Sequence, residues 1–124
     1  MSDTSNRIAG IATITVDGQN YRLRGNFKYS PCKVKRETIA GQDGIHGYSE
    51  MPVAGFIEAD LSDMGGLKVA SLNGMTNVTV VAELANGKQV IGRNMWQVGD
   101  PIEATAEDGK LPGVRWESFN VIEV

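Results

Sequence analysis

Three dipeptides, Asp17-Gly18, Asn86-Gly87 and Asp108-Gly109, each fall between runs in which apolar and polar residues alternate. Such pairs supply the positive φ that a tight hairpin turn needs, and a period of two marks a strand with one buried face. Before the first turn, Ile8, Gly10, Ala12, Ile14 and Val16 share one side, and Ala9, Ile11, Thr13 and Thr15 the other. The return strand turns Tyr21 and Leu23 inward and Asn20, Arg22 and Arg24 outward. Around the second turn, Val78, Val80, Ala82 and Leu84 alternate with Thr79, Val81 and Glu83, and Lys88 to Trp96 returns. Ile102 to Ala106 and Lys110 to Val124 flank the third. There Val114 and Trp116 alternate with Arg115 and Glu117 until the apolar phase passes to Phe119 and Val121, which predicts a bulge near Ser118.

Between these hairpins lies the stretch Glu37 to Leu61, two strand-like flanks joined by a polar segment carrying Gly41, Gly44 and Gly47. The segment Ile39 to Tyr48 is too long for a tight turn and too rich in glycine to pack a core of its own. It is read as a projecting loop over 39–50 at the end of a β-hairpin arm, which with about six residues per flank reaches roughly 20 Å. Pro31 marks an edge, bulge or break in the preceding strand. Beyond it Cys32 and Val34 alternate with Lys33 and Lys35. Past the arm, Met51, Val53, Ile57, Ala59 and Leu61 take one face, and Phe56, Glu58 and Asp60 the other. A short helix over about Gly66 to Asn73, with Leu67, Val69, Ala70 and Leu72 as its apolar stripe, must dock on a sheet to be stable. The fold expected is all-β: a small antiparallel sandwich or barrel of about six to eight strands, with one short helix and a long projecting hairpin.

At 124 residues, residues 1–124 form one domain, and no repeat or linker divides them. Residues 1–7 are polar and are read as a flexible N-terminal arm. A net charge of −3 opposes tight non-specific binding of nucleic acid. The single Cys32 excludes an internal disulfide and suits a reducing compartment. With no apolar run long enough for a bilayer and no signal-peptide pattern at the start, the expected setting is a cytoplasm.

The sequence offers no machinery for reaction chemistry. His46 is the sole histidine, and GIHG resembles no nucleophile motif. Asp43, His46 and Glu50 can be drawn as a metal site, but a flexible loop collects such residues by chance, and a polar loop tip is the reading preferred. GQDGIHG neither fits the dinucleotide fingerprint nor leads into a helix, and no cofactor is expected. The basic run Lys28, Lys33, Lys35 and Arg36, with Phe27 and Tyr29 beside it, could form a stacking platform for single strands. A solvated or subunit-facing strand has the same composition, and acids flank it. Trp96 and Trp116 are expected in the core, with an interface as the second role. So much strand in one monomer leaves open sheet edges, and polymerising through them is one way to manage these.

Together these residues resemble a known family. NRIAGIATITVDGQNYRLRGNFKYSP, then IAGQDGIHGYSEMPVAGFIEADLSDMGGL, then TVVAELANGKQVIGRNMW look like the tail tube proteins of Mu-like contractile-tailed bacteriophages, with residues 97–124 matching least. The resemblance implies a subunit of hexameric rings that stack into a hollow tube inside a contractile sheath. The partners implied are further copies of the chain, the sheath protein outside, the tape-measure protein and then double-stranded DNA within, and baseplate and terminator proteins at the ends. The location implied is the virion tail, assembled in the host cytoplasm. On this reading Ile39, Gly41, Gln42, Asp43, Gly44, Ile45, His46, Gly47 and Tyr48 form the inter-subunit arm. Lys33, Lys35 and Arg36 serve subunit contacts, and some of Glu58, Asp60, Glu83, Glu103 and Glu107 face the channel, because a conduit must not hold DNA by neutralising its phosphates. The alternatives are a baseplate or tail-end protein of the same fold, an oligonucleotide-binding barrel, and, weakest, an enzyme.

Overall fold

A computed structural model describes residues 13–63 and 68–124. The proposed N-terminal arm, the start of the first strand and the start of the helix lie outside the described residues. The elements run β1 (Thr13–Val16), β2 (Gln19–Tyr21), β3 (Leu23–Ser30), β4 (Lys33–Gly41), β5 (Gly44–Val53), β6 (Gly55–Ser62), α1 (Val69–Asn73), β7 (Val78–Glu83), β8 (Gln89–Val98), β9 (Lys110–Ser118) and β10 (Asn120–Glu123). Among the described residues an eight-stranded sheet has the order β2-β1-β7-β8-β9-β6-β3, with β10 also on β8, while β4 and β5 pair only with each other. Every pairing is antiparallel. The all-β expectation with one short helix holds.

The two ends of this sheet, β2 and β3, are consecutive in the chain with only Arg22 between them. The sheet therefore rolls back towards its own start, and the Arg22 carbonyl accepts from the Ser62 N–H at 2.9 Å. β8 is long enough to serve both layers: its first part pairs with β7 and β10, and its last three residues with β9. Between the layers lie Ile14, Val16, Ile57, Ala59, Leu61, Val80, Ala82, Val90, Met95, Leu111, Val114, Trp116 and Val121, nearly all fully buried. These are the inward sides of the alternating runs, and burial of that apolar surface drives the fold.

Several expectations change in detail. The described residues make ten strands. Pro31 and Cys32 break β3 from β4, and Ala54 breaks β5 from β6, so Met51 lies outside the core and is 65% exposed. Ile102 to Ala106 is not a strand; a single bridge, Thr105 to Lys110, flanks the Asp108-Gly109 turn. Ile102 is buried instead as part of the core, and its N–H donates to Asn73 Oδ1 at 2.7 Å. The described helix is five residues long, with only Leu72 fully buried and Ala70 exposed, because so short an element has one inward position.

The phase slip near Ser118 is real, but it is not an inserted residue. Register with β8 is the same on both sides of it, Trp96 opposite Glu117 and Arg93 opposite Asn120. The extra residue sits on β8 opposite β7, where Asn94 adopts φ +57. β9 and β10 follow that kink with a bend at Phe119, which turns outward and is 71% exposed while Val121 turns in. A second kink is held by Asp60. Its carboxylate accepts from Asn26 Nδ2 at 2.6 Å and the Gly113 N–H at 2.8 Å, with Lys110 Nζ at 3.4 Å. Asn26 and Gly113 both have positive φ and lie at register shifts on β3 and β9, so Asp60 pins two bulges to β6.

Gly55 marks the root of the arm. A methyl group there would collide with Val121 Cβ and the Cys32 backbone nitrogen. Only glycine lets β10 and the start of the arm close over this point, where the Cys32 N–H donates to the Val121 carbonyl at 3.2 Å.

Candidate functional site

β4 and β5 form one continuous ladder from Lys33 opposite Val53 to Gly41 opposite Gly44. The connection is Gln42-Asp43 alone, so the segment read as a long loop is strand almost to its tip. Nine residues of β4 span roughly 30 Å, half as long again as the sequence suggested. The glycines serve this geometry: Gly44 and Gly47 take φ +135 and +144, values open to glycine and not to other residues.

The register shifts by one residue between Ile39 and Ala40, with His46 as the extra residue of β5. A bulge changes the facing of everything beyond it. Here it brings Ile45, opposite Ala40, to the same face as Tyr48, opposite Thr38. Val34 and Arg36 share that face, while Lys33, Lys35, Glu37, Ile39, Met51 and Val53 take the other. Arg36 pairs with Glu50 at 3.1 Å and its guanidinium stands 5.7 Å from the Tyr48 ring centroid. Lys35 pairs with Glu37 at 3.4 Å. At the tip His46 Nε2 meets Asp43 Oδ1 at 2.6 Å, and this bond holds the Asp43 carboxyl below its ordinary range. The His46 ring also lies against Gly41, where a Cβ would overlap it. Glu50 is engaged across the ladder by Arg36, so Asp43, His46 and Glu50 do not converge.

No residue of this ladder is buried, and Ile45, Tyr48 and Met51 expose most of their surface. An isolated two-stranded hairpin is at best marginally stable in water. Here the hairpin has ion pairs and one cation–π contact, exposed interactions that each contribute little. Its apolar side chains Ile45, Tyr48 and Met51 are left uncovered by the chain's own body.

The candidate acids are dispersed. Asp60 is buried at its bulge: desolvation pushes its carboxyl up, and the Gly113 N–H, Asn26 and Lys110 outweigh that and hold it below its ordinary range. Glu58 is bonded to Arg115 at 3.0 Å, and Arg115 also holds Glu117 and lies 3.9 Å over the Phe56 ring. Glu58 and Glu103 border one hollow of about 500 Å³ with Asp100 and Arg115. Glu83 stands in the other layer, bonded by Gln89, and Glu107 is in the exposed turn before β9. Lys28 is exposed, but Phe27 and Tyr29 pack against the core and form no open platform for bases. Trp116 is in the core as expected. Trp96 is only partly covered and stands 6.3 Å from Phe119, a pair at the arm's root that alternation, which assigned both rings inward, did not disclose.

The described chain is thus a β-body carrying an exposed, self-paired arm. The sequence matches the family of phage tail tube proteins over residues 5–123, and the chain belongs to that family. It is a structural protein and not an enzyme. It is 26% identical over 102 residues to the Mu-like prophage FluMu tail tube protein of Haemophilus influenzae (strain ATCC 51907 / DSM 11121 / KW20 / Rd), an alignment covering 82% of this chain and 84% of that one. Among solved structures, its fold is similar to a chain of the sheath/tube terminator of an extracellular contractile injection system, PVC, in its extended state. The TM-score is 0.56 at 12% identity, over 91% of this chain and 92% of the other. Among the described residues no helix is long and apolar enough to cross a membrane.

Proposed function

We propose that copies of this chain close into hexameric rings and stack into the hollow tube of a contractile phage tail. The tube lies inside a sheath, holds the tape-measure protein and then conducts double-stranded DNA, with baseplate and terminator proteins at its ends. The observation that carries this reading is the arm: a ladder of nine paired positions with no buried face, in a family of tube proteins. A surface of this kind gains its stability from neighbours, and a head-to-tail contact that repeats produces rings or filaments. Lys33, Lys35 and Arg36 lie along the arm's first strand, where they can meet a neighbouring subunit. Among the candidate lumen acids, Glu58, Glu83, Glu103 and Glu107 are at the surface, whereas Asp60 serves its own fold.

Negative-stain microscopy of concentrated, purified chain is expected to show hollow filaments of uniform width. Compact single particles at every concentration would reject the tube in favour of a tail-end component that does not stack on itself.

A further inference from the structure

The two most exposed apolar features of the described chain stand at opposite ends of one arm. At the tip are Ile45 and Tyr48, 72% and 61% exposed and brought to one face by the His46 bulge. At the root is a groove of about 220 Å³ lined by Cys32, Lys33, Pro52, Val53, Ala54, Trp96 and Phe119. Its floor is apolar and its rim carries a single charge. The volume lies below the roughly 300–1,000 Å³ of small-molecule sites, so one or two protruding side chains fit it better than a ligand.

We infer that the groove at the root of one arm receives the tip of the next copy's arm, resting on the tube reading above. Charge favours this occupant. Asp43 projects from the tip as a carboxylate, and Lys33 on the groove rim bonds only the Ser30 hydroxyl, at 3.0 Å, with no ion pair among the described residues. Seating Ile45 beside Trp96 and Phe119 brings these opposite charges to the same place. The arm's faces suit an overlapping course: the tip's apolar pair lies on one face, and Lys33 and Val53 on the other. An apolar knob that fits a pocket elsewhere on the same molecule makes a heterologous contact, which closes into a ring or runs on without limit. Phe119 has a role in this arrangement. Its outward turn at the bend between β9 and β10 gives the groove its wall.

The test uses the full chain with Ile45→Cys, at a position too exposed to disturb folding, and the native Cys32 of the groove as its target. Mild oxidation of assembled protein is expected to give a ladder of covalent oligomers on a non-reducing gel, and adding Cys32→Ser is expected to abolish it. Tip-to-tip pairing would stop at dimers and survive the second change, and either that outcome or no crosslink in intact tubes overturns the contact. In parallel, Asp43→Lys or Lys33→Asp alone should raise the critical concentration for assembly about tenfold. The double exchange should return it to within about threefold of the wild type. Tubes indifferent to these changes, or a double exchange as poor as the singles, overturn the contact and leave the tube reading standing. A wild-type chain that never assembles overturns both.

Discussion

A chain in which residues 36–50 are excised and Lys35 is joined to Met51 through an Asn-Gly turn is expected to fold normally and to form no tubes. Lys35 and Met51 face each other across the ladder, so a two-residue type I′ turn closes the stump without straining the strands below it. None of the excised residues belongs to the buried core. What is removed is exposed surface, two ion pairs across or along the arm, the tip pair and one cation–π contact. Changes to such surface usually shift stability by less than about 1 kcal/mol. The urea midpoint should therefore stay near that of the full chain, while filaments disappear from micrographs even at high concentration. Normal tubes from this variant would show that the arm is dispensable and that assembly rests on the body alone. A variant that no longer folds would show instead that the arm supports its own subunit.

Asp60→Ala is expected to destabilise the fold by about 1–3 kcal/mol, the range for removing a buried acceptor of charge-assisted hydrogen bonds. A domain of this size has roughly 5–15 kcal/mol in total, so the loss would be a large share. The Gly113 N–H would lose its acceptor at the β9 bulge, and Asn26 would lose the bond that holds its positive φ. Lys110, partly exposed, can return to water. Asp60→Asn keeps an acceptor and should lose about half as much. The same site carries a pH dependence. Because its folded carboxyl lies below the unfolded value of about 3.9, the unfolded chain binds the proton more readily. The stabilisation is complete above about pH 4 and is lost as the pH falls through the lower, folded value. The gap in stability between urea melts at pH 7 and pH 3 should be wider for the wild type than for Asp60→Asn. Equal gaps would place the acid sensitivity elsewhere.

Much of the body was legible because its strands have one wet and one dry face. Ile14 and Val16, Val80 and Ala82, Val114 and Trp116 lie inward as alternation predicts, and Asp17-Gly18 makes the two-residue turn its chemistry calls for. The arm was located by its glycines, but its conformation was misread for the same reason. A strand with neither face buried has no apolar period, and Gly44 and Gly47 look like loop residues although they hold a bulged ladder. Phe119 was misplaced because two coordinated kinks, on β8 and on β9–β10, reverse facing without changing register. One-dimensional alternation cannot distinguish that from continued burial. Asp60 looked like a surface acid, since nothing in the sequence shows that Asn26 and Gly113, 34 and 53 positions away, converge on it.

The direct test of whether other copies complete the arm is amide hydrogen exchange over 33–53, measured on the dispersed chain and on assembled tubes. The ladder should exchange readily in the dispersed chain, where no packed face supports it, and slow by about a hundredfold or more once neighbours cover it. Equal, strong protection in both states would mean that the arm is already secured by its own subunit, and the account would fail.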